Sequence, residues 1–132
     1  MTPAAKVRLE HVNVTVSRPE RTAEMICAIF GWRIRWSGPA KNGGRTIHVG
    51  DDDAYLAIYA PKTPLEQGGA SYDMAGGLNH IGILVPDLNA AEARVIAAGF
   101  TPHSHGDYEP GRRFYFNDAD GIEFEVVSYA QT

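Results

Sequence analysis

The sequence predicts an α+β fold: two βαβββ modules forming a curved eight-strand mixed sheet around a central pocket, with the helices outside. Three observations carry this prediction. LEHVNVTV, starting at Leu9, returns as LNHIGILV, starting at Leu78, so that Leu9 matches Leu78, His11 matches His80 and Val16 matches Val85, each pair 69 positions apart. The match continues: Gly31-Trp32 answers to Gly99-Phe100 and YLAIYA to EFEVVS, both at an offset of 68. Between the copies, residues 61–77 are rich in Pro and Gly and lack periodicity, and the stretch is longer than most loops inside compact domains. A repeat of this kind decides the fold. It gives one domain over 1–132, with module one at 7–60, a linker at 61–77 and module two at 78–129.

Each element follows from local pattern. VRLEHVNVTV (7–16) alternates and is β-branched, which reads as a strand. Pro19 suits the first helical turn, Thr22, Ile26, Ile29 and Phe30 form an apolar face, and Gly31 stops the helix. WRIRWS is the second strand and GPAKNGG a turn. RTIHVG and AYLAIYA are the third and fourth strands, with the acidic turn DDD between them. After the linker the order repeats: strand LNHIGILV, helix PDLNAAEARVIAAG ending at Gly99, then strands FTPHSHG, RRFYFN and IEFEVVSY, with DADG as the last turn.

Composition narrows the function. The 132 residues are 44% hydrophobic and 21% charged, ordinary for a globular protein. The net charge of −4, with Lys and Arg scattered, argues against a nucleic-acid partner. No run approaches the ~20 apolar residues of a membrane span, and the start lacks the apolar stretch of a signal peptide. A cytoplasmic location with no membrane partner is the expectation. Cys27 is the only cysteine, so no disulfide framework or Cys-type zinc site exists, and its helical apolar setting reads as core.

The repeat also points to chemistry. Successive strand residues face opposite ways. His11 and His80, at matched positions in matched strands, face each other across the expected pocket. Glu125 in the final strand joins them, and its counterpart in module one is Ala57. A lone strand histidine is more often a hydrogen-bonded, half-buried residue than a ligand. A matched pair with a carboxylate on a converging strand reads as a metal site. Two imidazoles and a carboxylate leave coordination positions open, which is catalytic rather than structural ligation. The donor types suit one divalent ion: Fe, Mn, Zn, Ni or Co. Within FEVV an unpaired buried carboxylate would be costly, and a metal would remove that cost. Glu123 is the alternative in register. Tyr55 and Tyr59 share the face of Ala57 and are expected to bind substrate, together with Asn13. His48 is expected to lie outside the pocket.

LEHVNVTV, LNHIGILV and FYFNDADGIEFEVV resemble the vicinal oxygen chelate superfamily, which includes glyoxalase I, extradiol dioxygenases, fosfomycin-resistance thiol transferases and bleomycin-binding proteins. The resemblance spans about residues 7–129, with Ala119 where a proline is usual. It implies metal ligation by His11, His80 and Glu125. Glyoxalase I and the related epimerases usually supply a fourth ligand where Ala57 stands, so the three-ligand pattern is closer to the dioxygenases and the fosfomycin-resistance enzymes. Both groups commonly place a tyrosine against substrate where Tyr115 stands, and dioxygenases often place an acid–base histidine in the region of His105. Arg113 shares the strand parity of Tyr115, and a phenol and a guanidinium beside a metal would suit an anionic substrate. The expected function is a metalloenzyme chelating a small oxygenated substrate, with dioxygenase-like or glyoxalase-like chemistry, working as a homodimer as the superfamily often does. The alternatives are a metal-free ligand-binding protein of the bleomycin-resistance type and a fosfomycin-resistance-like thiol transferase.

Overall fold

The computed structural model describes residues 7–63 and 71–129. Its elements run β1 (His11–Thr15), α1 (Pro19–Phe30), β2 (Arg33–Pro39), β3 (Arg45–Gly50), β4 (Tyr55–Ala60), β5 (Ile81–Leu84), α2 (Leu88–Ala97), β6 (His103–Tyr108), β7 (Gly111–Asn117) and β8 (Glu123–Ser128). This is an α+β chain of two βαβββ modules. The two sheets have the same order, β1-β4-β3-β2 and β5-β8-β7-β6. In both, the first strand pairs parallel to the last and the other pairs are antiparallel. The parallel pair follows from the helix, because a crossover returns the chain to the same end of the sheet.

By contacts the chain divides into two compact units, Met1–Cys27 with Trp32–Pro64, and Ala28–Gly31 with Leu65–Thr132. In the first unit Ala23 and Ile26 of α1 are buried, as are Val49 of β3 and Leu56 and Ile58 of β4. In the second, Leu88, Ala91 and Val95 form the buried stripe of α2, and Phe114, Phe116, Phe124 and Val126 are sealed beneath. The rings of Phe116 and Phe124 stack at 5.1 Å, and Phe30 in the last turn of α1 lies 6.3 Å from each. Burying one such side chain contributes roughly 1.5–3 kcal/mol. Cys27 is half-buried rather than sealed in the core.

Both helices stop as the repeat requires. Gly31 and Gly99 have φ of 70° and 94°, a conformation that costs glycine little. Asp87 caps α2 by accepting from the Ala90 amide. The first strands are shorter than their alternating patterns. Ladder pairing begins at His11 and at Ile81, so His80 stands one residue ahead of its strand. The linker is not featureless, because Ser71–Asp73 forms a short 3-10 turn. Among the described residues no helix is long and apolar enough to cross a membrane.

Strand β8 shows how the sheet sorts its side chains. Phe124, Val126 and Ser128 are buried, while Glu123, Glu125 and Val127 alternate with them on the other face. That second face, in each unit, carries the residues of functional interest.

Candidate metal centre and substrate cavity

In the second unit His80, Glu125, Arg113 and Tyr115 come together on the face opposite the helix. His80 Nε2 lies 3.0 Å from Glu125 Oε1. The other carboxylate oxygen, Oε2, takes a 2.6 Å bond from Arg113 Nη1. Arg113 is 8% exposed, and its remaining donors go to the carbonyls of Tyr108 and Gly111. Its guanidinium also lies 4.3 Å from the Tyr108 ring centroid. Two expectations change here. Glu125 is not an unpaired buried carboxylate, since Arg113 neutralises it. And Arg113, expected to bind substrate, is spent on Glu125 and on backbone carbonyls.

Tyr115 sits directly across the ladder from Glu125, and its ring meets His80 edge-on at 5.6 Å. Burial, then the neighbouring Glu125 charge, push its phenol above the usual tyrosine range. The histidine beside Tyr115 is His103, stacked on its ring at 6.3 Å, and His103 Nε2 reaches Asn117 at 2.7 Å. His105 does not join this group. Its Nε2 pairs at 2.6 Å with Glu92 of α2, and its ring lies against Phe114 on the helix side of the sheet. The cause is an irregularity between His103 and Gly106, where Ser104 takes φ of 56°. An inserted residue reverses side-chain parity along the strand.

One participant was not singled out from the sequence. Tyr72, in the 3-10 turn of the linker, donates its hydroxyl to Glu123, and His80 Nδ1 lies 3.2 Å from the same oxygen. The Glu123 carboxylate, above all other influences, pushes the Tyr72 phenol up to about 12. A tyrosine within an aperiodic Pro- and Gly-rich stretch was the available signal, and it carries no spacing that ties it to His80.

The first unit presents a cavity of about 490 Å³, whose wall includes His11, Asn13, Thr46, His48, Tyr55 and Tyr59. Asn13, Tyr55 and Tyr59 therefore line a cavity. The Tyr59 hydroxyl is held by the Lys41 carbonyl at 3.0 Å. Tyr55 is the middle of a row of rings: His11 stacks on it at 4.9 Å, His48 at 4.4 Å, and Trp36 follows 5.1 Å beyond His48. The Arg35 guanidinium lies 4.7 Å from the Tyr55 centroid.

His48 is thus in the cavity wall, contrary to expectation. His48 and Arg45 lie on opposite faces of β3, and Arg45 is the outward residue, paired with Glu20 of α1 at 2.8 Å and 2.9 Å. Burial first, then the charges of His11 and Arg35, hold His48 below the usual histidine range. His11 Nδ1 is engaged by Glu10 at 2.8 Å. Thr46 is 7% exposed, and its Oγ1 is buried with no hydrogen-bond partner among the described residues.

The resemblance of the histidine strands implies a metal, and the second unit offers donors for one. Donors on bonds of about 2.1 Å that subtend a right angle are about 3.0 Å apart, which is the separation of His80 Nε2 and Glu125 Oε1. An imidazole nitrogen with a carboxylate oxygen suits the first-row divalent ions. His11 belongs to the first unit, and among the described residues no three His, Cys, Asp or Glu side chains are gathered into a cage. The donors present fit as a two-ligand half-site.

The sequence matches the profile of the Glyoxalase/Bleomycin resistance protein/Dioxygenase superfamily over residues 8–126. The chain belongs to this superfamily. No curated protein sequence matches it. Among solved structures it is similar to a glyoxylase/bleomycin resistance protein/dioxygenase domain from Frankia sp. EAN1pec, at 19% identity and a TM-score of 0.78, covering 94% of this chain and 98% of that one. It is similar to TnmS3, an antibiotic binding protein from Streptomyces sp. CB03234, at 19% identity and 0.71, covering 97% and 100%. It is also similar to a mutant of the fosfomycin resistance protein FosX from Listeria monocytogenes complexed with Mn(II) and 1S,2S-dihydroxypropylphosphonic acid, at 18% identity and 0.70, covering 96% and 95%. Likeness at these identities speaks for the superfamily fold.

Proposed function

We propose that this chain is a metal-dependent enzyme acting on a small oxygenated molecule, with His80 and Glu125 of the second unit as ligands of the ion. The observation that carries the reading is the His80 Nε2–Glu125 Oε1 pair at 3.0 Å, with Arg113 securing the other carboxylate oxygen. That tether leaves one oxygen of Glu125 free to act as a ligand and fixes its direction. A bound divalent ion would stabilise charge developing on two neighbouring substrate oxygens. The phenol of Tyr115 stands across the ladder from Glu125, where it would donate a hydrogen bond to a substrate bound there. Tyr55, Tyr59 and Asn13 shape the substrate cavity. Ala57, which answers to Glu125 in the repeat, adds no fourth ligand, which favours dioxygenase-like over glyoxalase-like chemistry.

The working form in this reading is a homodimer. β1 and β5 are outermost in their sheets, and Leu9 and Leu78 ahead of them and Leu84 at the end of β5 are largely exposed. Outer strands of that kind are normally covered.

A second reading is supported by the row of rings. Trp36, His48, Tyr55 and His11 would suit a flat ligand bound without chemistry, in the manner of an antibiotic-binding relative such as TnmS3. Elemental mass spectrometry of untagged protein, beside His80→Ala, separates the two. Near-stoichiometric metal in the wild type that is lost in the variant supports the enzyme. No metal after reconstitution with Fe, Mn, Zn, Ni or Co overturns it in favour of the binding protein.

A further inference from the structure

The contacts around His80 assign a role to Tyr72. We propose that Tyr72 is a positioning residue which, backed by Glu123, keeps a hydrogen on His80 Nδ1 and turns Nε2 toward Glu125.

The argument is one of donor counting. A phenol has one proton to give and an oxygen that accepts. Tyr72 gives its proton to Glu123, which as a carboxylate can only accept. At the second contact, 3.2 Å from His80 Nδ1, the Tyr72 oxygen is therefore the acceptor and Nδ1 must carry the hydrogen. The other nitrogen, Nε2, is 3.0 Å from Glu125 Oε1. Facing a carboxylate, which only accepts, Nε2 carries a proton of its own unless a cation takes that proton's place. Histidines that ligate metals commonly donate the far ring N–H to a fixed acceptor, which sets the tautomer. In module one Glu10 contacts His11 Nδ1 directly. In module two the residue matching Glu10 is Asn79, and the carboxylate comes from β8 through a phenol supplied by the linker. The service to the metal rests on the metal reading above, whereas the Nδ1 hydrogen does not.

The test is long-range ¹H–¹⁵N NMR of the ¹⁵N-labelled full chain at pH 8, without metal and with Zn(II), together with Zn(II) titration. His80 is expected to show a protonated Nδ1 before metal is added, and to keep it when Zn(II) displaces any proton from Nε2. Tyr72→Phe should move it toward the Nε2–H form favoured by free histidine, with Zn(II) binding weaker by about tenfold. Tyr72 is 60% exposed, so the variant should fold. Glu123→Gln keeps an oxygen for the phenol and should keep the Nδ1 hydrogen, whereas Glu123→Leu should lose it. A wild-type His80 with no hydrogen on Nδ1, or an Nδ1 hydrogen unmoved by Tyr72→Phe, overturns the proposal. A Tyr72-dependent Nδ1 hydrogen in a protein that binds none of the metals upholds the positioning role and removes the metal reading.

Discussion

The two modules share a topology and divide the chemistry between them. Ladder register makes the comparison residue by residue. Ala57 faces His48 across β3 and β4, and Glu125 faces Tyr115 across β7 and β8. On the same grounds Thr46, opposite Tyr59, answers to Arg113, opposite Val127, and Tyr55 answers to Glu123. Module one thus sets Thr46, His48, Tyr55 and Ala57 around His11. Module two sets Arg113, Tyr115, Glu123 and Glu125 around His80. One copy carries rings and small side chains that wall a cavity. The other carries an ion pair and a hydrogen-bonded relay that orient a histidine and a carboxylate. A duplicated backbone supplies equivalent positions, and the side chains placed there decide which half holds and which half shapes.

The sharpest way to break this comparison is Glu125→Ala, which makes module two resemble module one. It strands the buried Arg113 guanidinium. Losing one partner of a buried pair is expected to cost about 3–5 kcal/mol. Urea unfolding measures this, and a loss below 1 kcal/mol would mean Arg113 finds solvent or another acceptor. Next is the core. Phe124→Ala should cost ~3–5 kcal/mol, and Leu56→Ala at the matching position ~2–5 kcal/mol. If Leu56 proves the more expensive, the aromatic cluster of module two relaxes around its cavity.

Thr46→Val tests the position matching Arg113 with the opposite sign. Its hydroxyl is buried without a partner among the described residues. Replacing it with a methyl group should raise stability by up to about 1 kcal/mol. A clear loss would show that the hydroxyl is bonded in solution. The smallest effect belongs to pH. The fold holds His48 below its ordinary value of 6.5, so the unfolded chain takes up the proton first. Its contribution is intact above pH 6.5 and falls as pH drops through the window beneath. Denaturation midpoints between pH 7.5 and pH 5 should decline less for His48→Gln than for wild type.

Much of this was legible in the sequence. The repeat fixed the element order, and alternation in YLAIYA and EFEVVS placed Tyr55, Tyr59, Glu123 and Glu125 on one face of their strands. Matched histidines marked His11 and His80. Three features were not legible. His105 stands two residues after His103 and shares its parity by simple alternation, but the irregularity at Ser104 turns it toward Glu92. His48 had the right parity but no absolute face, because alternation says which residues share a side without saying which side is inward. Tyr72 reached His80 from a linker with no period to read.

The sequence by itself determined the duplicated βαβββ order, the buried stripes and the two histidines, because periodicity and turn chemistry are local. Only tertiary structure decided that Arg113 would neutralise Glu125, that Tyr72 and Glu123 would engage His80 Nδ1, and that Trp36, His48, Tyr55 and His11 would line up as a row. Those are contacts between separate strands and a linker. They depend on ladder register and on one inserted residue, which shift a side chain from one face to the other while leaving the hydrophobic pattern intact.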